Sequence, residues 1–178
     1  MSQVAFSGSC YWCMEAVFRS LKGVSDVVQG WVAPTTENDT FVEGVLVTYD
    51  ANHISLHDLI EIHVHTHSAT SHHSLRERYR SAVYVTAKRD LARANEAVKA
   101  LQADFSDPLL TEVCEFAEFK PSDSKMQDYF YADPGKPFCQ VRIVPKLKTL
   151  LENFNEKVAE ERRSIIEEQQ TGSMKRPV

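Results

Sequence analysis

Residues 41–49, Phe-Val-Glu-Gly-Val-Leu-Val-Thr-Tyr, read as a strand with apolar side chains on both faces. A strand of that kind belongs in the middle of a sheet, covered from two sides. Glu43 is its only charged residue. A carboxyl stripped of its water favours the protonated form, so Glu43 is a candidate proton donor. The ordinary alternative is an edge position or an arginine partner.

Upstream of this strand, Val24–Val32 is valine-rich and extended, and Gln3–Ser7 is a shorter strand. Between those two, Met14, Val17, Phe18 and Leu21 fall at i, i+3, i+4 and i+7, which predicts a helix from Tyr11 that Gly23 closes. The stretch Pro34–Thr40 reads as a polar turn. Downstream, Ser55 and Asp58 form a capping box for a helix carrying Leu56, Leu59, Ile60 and Val64. A short strand at Ala82–Val85 follows, then a helix marked by Leu91, Ala94, Val98 and Leu101, and a strand at Thr111–Phe119. Ser122–Tyr131 contains one or two helical turns, and Phe138–Val144 is extended. Pro145 then starts a helix at its first position, with Leu147, Leu150, Leu151, Phe154 and Val158 along one side. The order predicts an α+β domain over residues 1–154, a two-layer sandwich of an open mixed sheet and packed helices with a ferredoxin-like core. Residues 155–178 read as a charged helical extension with a disordered tail after Gln170.

The 178 residues are 43 % hydrophobic and 25 % charged, with a formal net charge of −5. These are values of a soluble globular protein, and they give no reason to expect nucleic acid or an anionic membrane as partner. No run reaches the roughly 18 apolar residues of a membrane span. The first ten residues lack a basic n-region and a long apolar stretch, so they predict no secretory signal. A cytoplasmic monomer is the expectation. Four cysteines in a reducing compartment point to chemistry rather than to a disulfide framework.

Cys10 stands where a turn, Gly8-Ser9, meets the first helix. Free amides and the helix dipole at that end favour a thiolate. Tyr11 and Trp12 follow, two aromatics suited to a small apolar group such as a methyl on sulfur. Cys13 completes a Cys-x-x-Cys spacing, within reach of a disulfide. Both thiols serve equally well as small buried hydrophobes. Cys114, inside a predicted strand, reads as structural.

Gly8-Ser9-Cys10-Tyr11-Trp12-Cys13-Met14-Glu15-Ala16-Val17-Phe18 resembles the Gly-Cys-Phe-Trp segment and following helix of the A-type methionine sulfoxide reductases, the peptide-methionine (S)-S-oxide reductases. The strand holding Glu43, the segment Tyr79-Arg80-Ser81-Ala82, the pair Asp128-Tyr129 and Pro137-Phe138-Cys139-Gln140-Val141-Arg142-Ile143-Val144-Pro145-Lys146-Leu147 resemble later segments of that family, in order, from about residue 4 to residue 154. The resemblance implies reduction of the S epimer of methionine sulfoxide, free or in proteins. It implies Cys10 as nucleophile, Glu43 as general acid, Tyr79 as donor to the sulfoxide oxygen, and Tyr11 and Trp12 around the methyl group. It also implies no bound cofactor, and regeneration by thioredoxin or a dithiol such as dithiothreitol. The resolving thiol is Cys139 or Cys13, with Cys139 preferred by a narrow margin.

Three positions depart from the family. A glycine-rich loop with an oxygen-binding tyrosine has no counterpart around Gly30–Pro34, the family's aspartate is Ser74, and its glycine is Arg76. His72, His73 or Trp31 could compensate. The departures leave room for an altered substrate, or for a relative that binds without turnover. A plain thiol-disulfide oxidoreductase using Cys10 and Cys13 is a further alternative. Histidines 63, 65, 67, 72 and 73 are dense enough to suggest zinc or copper, yet three alternate residues at a helix end cannot all face one way, so no metal is expected.

Overall fold

The computed structural model describes residues 1–35 and 40–175. Positions 36–39, where the polar turn was expected, and 176–178 lie outside the described residues. In chain order the elements are β1 (Ser2–Ser7), α1 (Tyr11–Arg19), β2 (Val24–Pro34), β3 (Val42–Tyr49), α2 (Leu56–His65), β4 (Ala82–Val85), α3 (Asp90–Leu101), β5 (Glu112–Pro121), α4 (Tyr129–Ala132), α5 (Val144–Phe154) and α6 (Glu160–Lys175).

The mixed α+β class is as expected, but the sheet is not open. Its order is β1-β3-β2-β5-β4, and β4 pairs with β1 to close a five-stranded barrel. Closure depends on β5 serving two neighbours in succession. Its first residues, Glu112 to Glu115, run parallel to β4, and its later ones, Phe116 to Pro121, run antiparallel to β2. A pattern of separate strands does not reveal that one strand changes partner halfway.

The alternation of side chains divides the barrel wall into two faces. Val4, Phe6, Val45, Val47, Val83 and Val85 point outward into the main core beneath the helices. Ala5, Val32, Val42, Ala82, Tyr84 and Cys114 fill the barrel itself. Cys114 thus sits in the small inner core, and burial raises its pKa. Gly44 is needed for the tight wall: a Cβ there would come within 2.6 Å of Val32 and 2.9 Å of the Phe6 carbonyl oxygen. Glu43 shares the parity of Val45 and Val47, so it faces the helix layer, at the β3 end nearest the start of α1.

The capping box opens α2 as read from sequence: Ser55 Oγ accepts from the Asp58 amide at 3.0 Å, and Asp58 returns the bond to the Ser55 amide at 3.1 Å. Helix α1 stops earlier than expected, at Arg19 with Ser20 as its cap, and Gly23 takes its left-handed φ of 84° in the turn beyond. The segment around Cys139 is corrected outright. It is not extended: Cys139–Ile143 is a π-helical turn leading into α5. Val141 and Ile143 carry β-branched bias, but burial of Cys139 and Ile143 overrides it. Pro145 has no N–H to continue an α-helical ladder through this stretch, and a widened turn accommodates that loss. The chain also stays helical past Gln170, to Lys175, and Ile166 of α6 is fully buried.

The histidines disperse into local bonds. His63 is buried against Phe6, ring centroids 4.7 Å apart, with Nε2 2.9 Å from the Ser7 carbonyl oxygen. His67 joins Ser81 at 2.8 Å, and His65 joins Asp104 at 3.0 Å. Among the described residues no group of three His, Cys, Asp or Glu is placed to hold a metal ion.

Burial holds His63 at about 4, against 6.5 for a free imidazole, and holds His67 low as well. The unfolded chain therefore binds a proton at His63 below pH 6.5 that the folded chain refuses until about pH 4, and His67 acts in the same direction. Stability must fall with pH across that window, by about 2 kcal/mol at pH 5 for His63 alone. Urea titrations at pH 7 and pH 5 measure it, and His63→Gln should flatten the slope. An unchanged midpoint would refute it.

Candidate active site

Cys10 is the residue before the first turn of α1, half-buried, with its carbonyl accepting the Met14 amide at 3.2 Å. Gly8 sets the approach to it. Its φ is 146°, and a Cβ there would lie 2.7 Å from the His67 imidazole, so only glycine fits. The Cys10 thiol is held below its ordinary pKa of 9.0. The largest cause is the Cys13 thiol, which donates to the Cys10 sulfur. Burial opposes this, and the Trp12 and Cys13 amides at the open helix end add to it. The partner pays the converse penalty: Cys13 is pushed far up by the same contact and by burial. The contact thus favours ionisation at Cys10 and disfavours it at Cys13.

Glu43 reaches this helix end from β3. It is 6 % exposed, and its Oε1 lies 3.5 Å from the Tyr11 amide. Its Oε2 accepts from Arg78 Nε at 3.0 Å. The arginine partner that the sequence reading held as the ordinary alternative is therefore present, although Glu43 is on a central strand and not an edge. Tyr79, next to Arg78, is half-buried in the same cleft, and burial and then the nearby Glu43 charge raise its pKa above 10, so its hydroxyl remains a donor.

The aromatics form a wall. Trp12 stacks on Tyr129, 4.0 Å between centroids and 8° between planes, and meets Phe138 edge-on at 5.5 Å. Tyr11 touches Trp12 at 5.5 Å and Trp31 at 5.7 Å. Trp31 is paired opposite Glu43 across β2 and β3. Tyr129 is held by Glu15, a buried carboxylate that accepts the Asp128 and Tyr129 amides at 2.8 and 3.0 Å, with Arg19 at 3.6 Å. The αL backbone of Asp128, φ 55°, turns those two amides toward it.

These groups surround one cleft of about 770 Å³, lined by Cys10, Tyr11, Trp12, Cys13, Glu43 and Tyr79 among others. Of the catalytic, resolving and substrate-contacting residues named from sequence, Cys139 is the one outside the cleft lining. It is fully buried, its thiol faces the Asp133 carbonyl oxygen at 3.7 Å, and its neighbours Phe138 and Val141 line the cleft instead. Ser74 is exposed, while His73 reaches the cleft. Arg76, seen in the sequence only as a departure, staples the loop: its guanidinium donates to the carbonyls of Ser68, Ser71, Tyr79 and Gly8. Four further residues went unassigned in the sequence: Glu15, Arg78, Tyr129 and Lys146. Glu15 had a signal, an acid among the apolar residues of α1 one turn after Tyr11 and Trp12. The others depend on contacts across the fold.

A polarised thiolate facing a carboxyl and a phenol over an aromatic wall can attack an electrophilic sulfur and deliver a proton to its oxygen. Comparison with known proteins agrees. The family description "Peptide methionine sulfoxide reductase" matches residues 2–159. The enzyme of that name from Pasteurella multocida is 31 % identical over 168 residues, 86 % of this chain and 97 % of the relative. The fold is similar to that of reduced Mxr1 from Saccharomyces cerevisiae, with TM-score 0.65 and 18 % identity over 77 % of this chain and 88 % of that one. Mxr1 in complex with Trx2 gives TM-score 0.58 and 17 % identity, over 68 % and 80 %. With nearly its whole length matched in this way, the chain belongs to the peptide methionine sulfoxide reductase family.

Proposed function

We propose that the chain reduces the S epimer of methionine sulfoxide, free or in proteins, through a sulfenic acid on Cys10. The observation that carries the reading is the Cys10 thiolate opposite Glu43 in one aromatic-walled cleft. The form that reacts is the one in which Glu43 carries a proton beside Arg78: the thiolate attacks the sulfoxide sulfur, Glu43 delivers that proton to the oxygen, and Tyr79 donates to the same oxygen. The S–O bond breaks as the oxygen passes to Cys10, which leaves methionine reduced and Cys10 as –SOH. Tyr11 and Trp12 hold the methyl group. The test is dithiothreitol-driven reduction of both epimers, resolved by chromatography. Consumption of the S epimer alone is expected; equal consumption of both, or of neither, would overturn the reading.

Cys13 is the resolving thiol in this proposal, ahead of Cys139. It already donates to Cys10, so its sulfur has only to displace water from the sulfenic acid to close a disulfide. Cys139 is instead buried with its thiol on the Asp133 carbonyl oxygen, and must leave that contact to meet Cys10. Thioredoxin then reduces the disulfide, a step supported by the complex of Mxr1 with Trx2. Cys13→Ser keeps a donor to Cys10, and should therefore retain the single burst of methionine while losing more than about ten-fold in thioredoxin-driven turnover. If Cys139→Ser shows that loss instead, the assignment is reversed.

A further inference from the structure

The charge around the cleft is opposite in sign to that of the molecule. The chain carries −5 overall. The cleft is lined by three cations, Arg78, Arg142 and Lys146, against one acid, Glu43. Two of the cations have duties. Lys146 is half-buried, donates to the Thr66 carbonyl at 2.7 Å and lies near the Cys10–Cys13 pair. Arg78 donates Nε to Glu43, yet its side chain is 68 % exposed, so an edge of its guanidinium still faces solvent. Arg142 is exposed and makes no hydrogen bond or ion pair with any described residue. Beside them stand two apolar side chains that a folded protein normally covers, Leu75 at 56 % and Val141 at 66 % exposure, both on the cleft wall. A guanidinium without a partner offers a planar fork of donors that matches a carboxylate.

Resting on the reductase reading above, we propose that this cleft selects methionine sulfoxide that carries a carboxylate beside it, with Arg142 and the outer edge of Arg78 receiving that carboxylate and Leu75 and Val141 covering the adjoining chain. The carboxylate has two sources, an acidic side chain flanking the oxidised residue or the α-carboxylate of the free amino acid. Peptides flanked by lysine are disfavoured by the same two guanidinium groups.

The experiment uses the full chain with dithiothreitol and reads kcat/KM for the S epimer. The substrates are methionine sulfoxide peptides flanked by glutamate, glutamine or lysine, and N-acetyl methionine sulfoxide as its acid and as its amide. A carboxylate-bearing substrate should exceed its neutral counterpart by about ten-fold at low salt, the lower end of electrostatic steering, and the ratio should shrink in 0.5 M salt, roughly a tenth to a third of the Debye length of dilute buffer remaining. In Arg142→Gln the ratio should fall toward one; the exposed side chain makes misfolding no obstacle. A preference confined to the flanked peptides assigns the carboxylate to a side chain, and one confined to the acid over the amide assigns it to the amino acid itself. Equal turnover of acidic, neutral and basic substrates, or a ratio that survives Arg142→Gln, overturns the proposal and leaves the reductase reading standing. No turnover of any of them removes both.

Discussion

Cys10→Ser should abolish sulfoxide reduction, with a loss on the order of 10⁵-fold or more, as expected when a nucleophile is removed. The hydroxyl that replaces the thiol keeps its proton at neutral pH, so neither the Cys13 donor nor the helix amides can make an anion of it. The fold should survive, because serine is a good residue to precede a first helical turn and occupies nearly the same volume. Thermal melts of the two proteins should therefore agree within a few degrees. Alkylation supplies a second readout. Since the wild-type pKa is lowered from 9.0, the thiolate persists below that pH and is lost only as pH falls through the depressed value. Iodoacetamide should label one cysteine rapidly at pH 7, and Cys10→Ser should lack that fast phase. Cys13, Cys114 and Cys139 have raised values and burial against them, so they should react slowly. A fast phase that remains in the variant would place the reactive thiol elsewhere.

The parts of this site carried by local pattern could be read from the chain. The apolar spacing of Met14, Val17 and Phe18 placed a helix directly after Cys10, and that alone located the thiol at a favourable electrostatic position. The two-residue period of β3 put Glu43 on the face shared with Val45 and Val47, although nothing in it said which layer that face met. What escaped was decided between segments. Closure of the barrel requires β4 to pair on both edges and β5 to change neighbours, and the β1–β4 pairing joins residues far apart in the chain, such as Val4 and Val85. Arg78 was one more charge in a basic loop until the fold set its Nε against Glu43. The extended reading of Phe138–Val144 was overturned by burial of Cys139 and Ile143 in a helical turn ahead of Pro145. That error matters chemically, because a π-helical turn buries Cys139 and moves the choice of resolving thiol toward Cys13.

Glu43→Gln should lower kcat for the S epimer by about 10²–10⁴-fold, the usual contribution of a positioned proton donor. The substitution keeps shape and an acceptor for Arg78 Nε, and Arg78 is exposed enough to be solvated once its counter-charge is gone. Any loss can therefore be assigned to proton delivery if thiol labelling at Cys10 stays fast. In the resting protein, where Glu43 is ionised beside Arg78, its charge raises the Cys10 pKa, so labelling at neutral pH should if anything quicken while turnover collapses. That opposition of signs separates the carboxyl's chemical role from a purely structural one, which would slow both. The competing donor is Tyr79, whose hydroxyl keeps its proton in this cleft. If Glu43→Gln costs less than about ten-fold and Tyr79→Phe costs more, the phenol delivers the proton, and the Glu43–Arg78 pair serves to hold it in place.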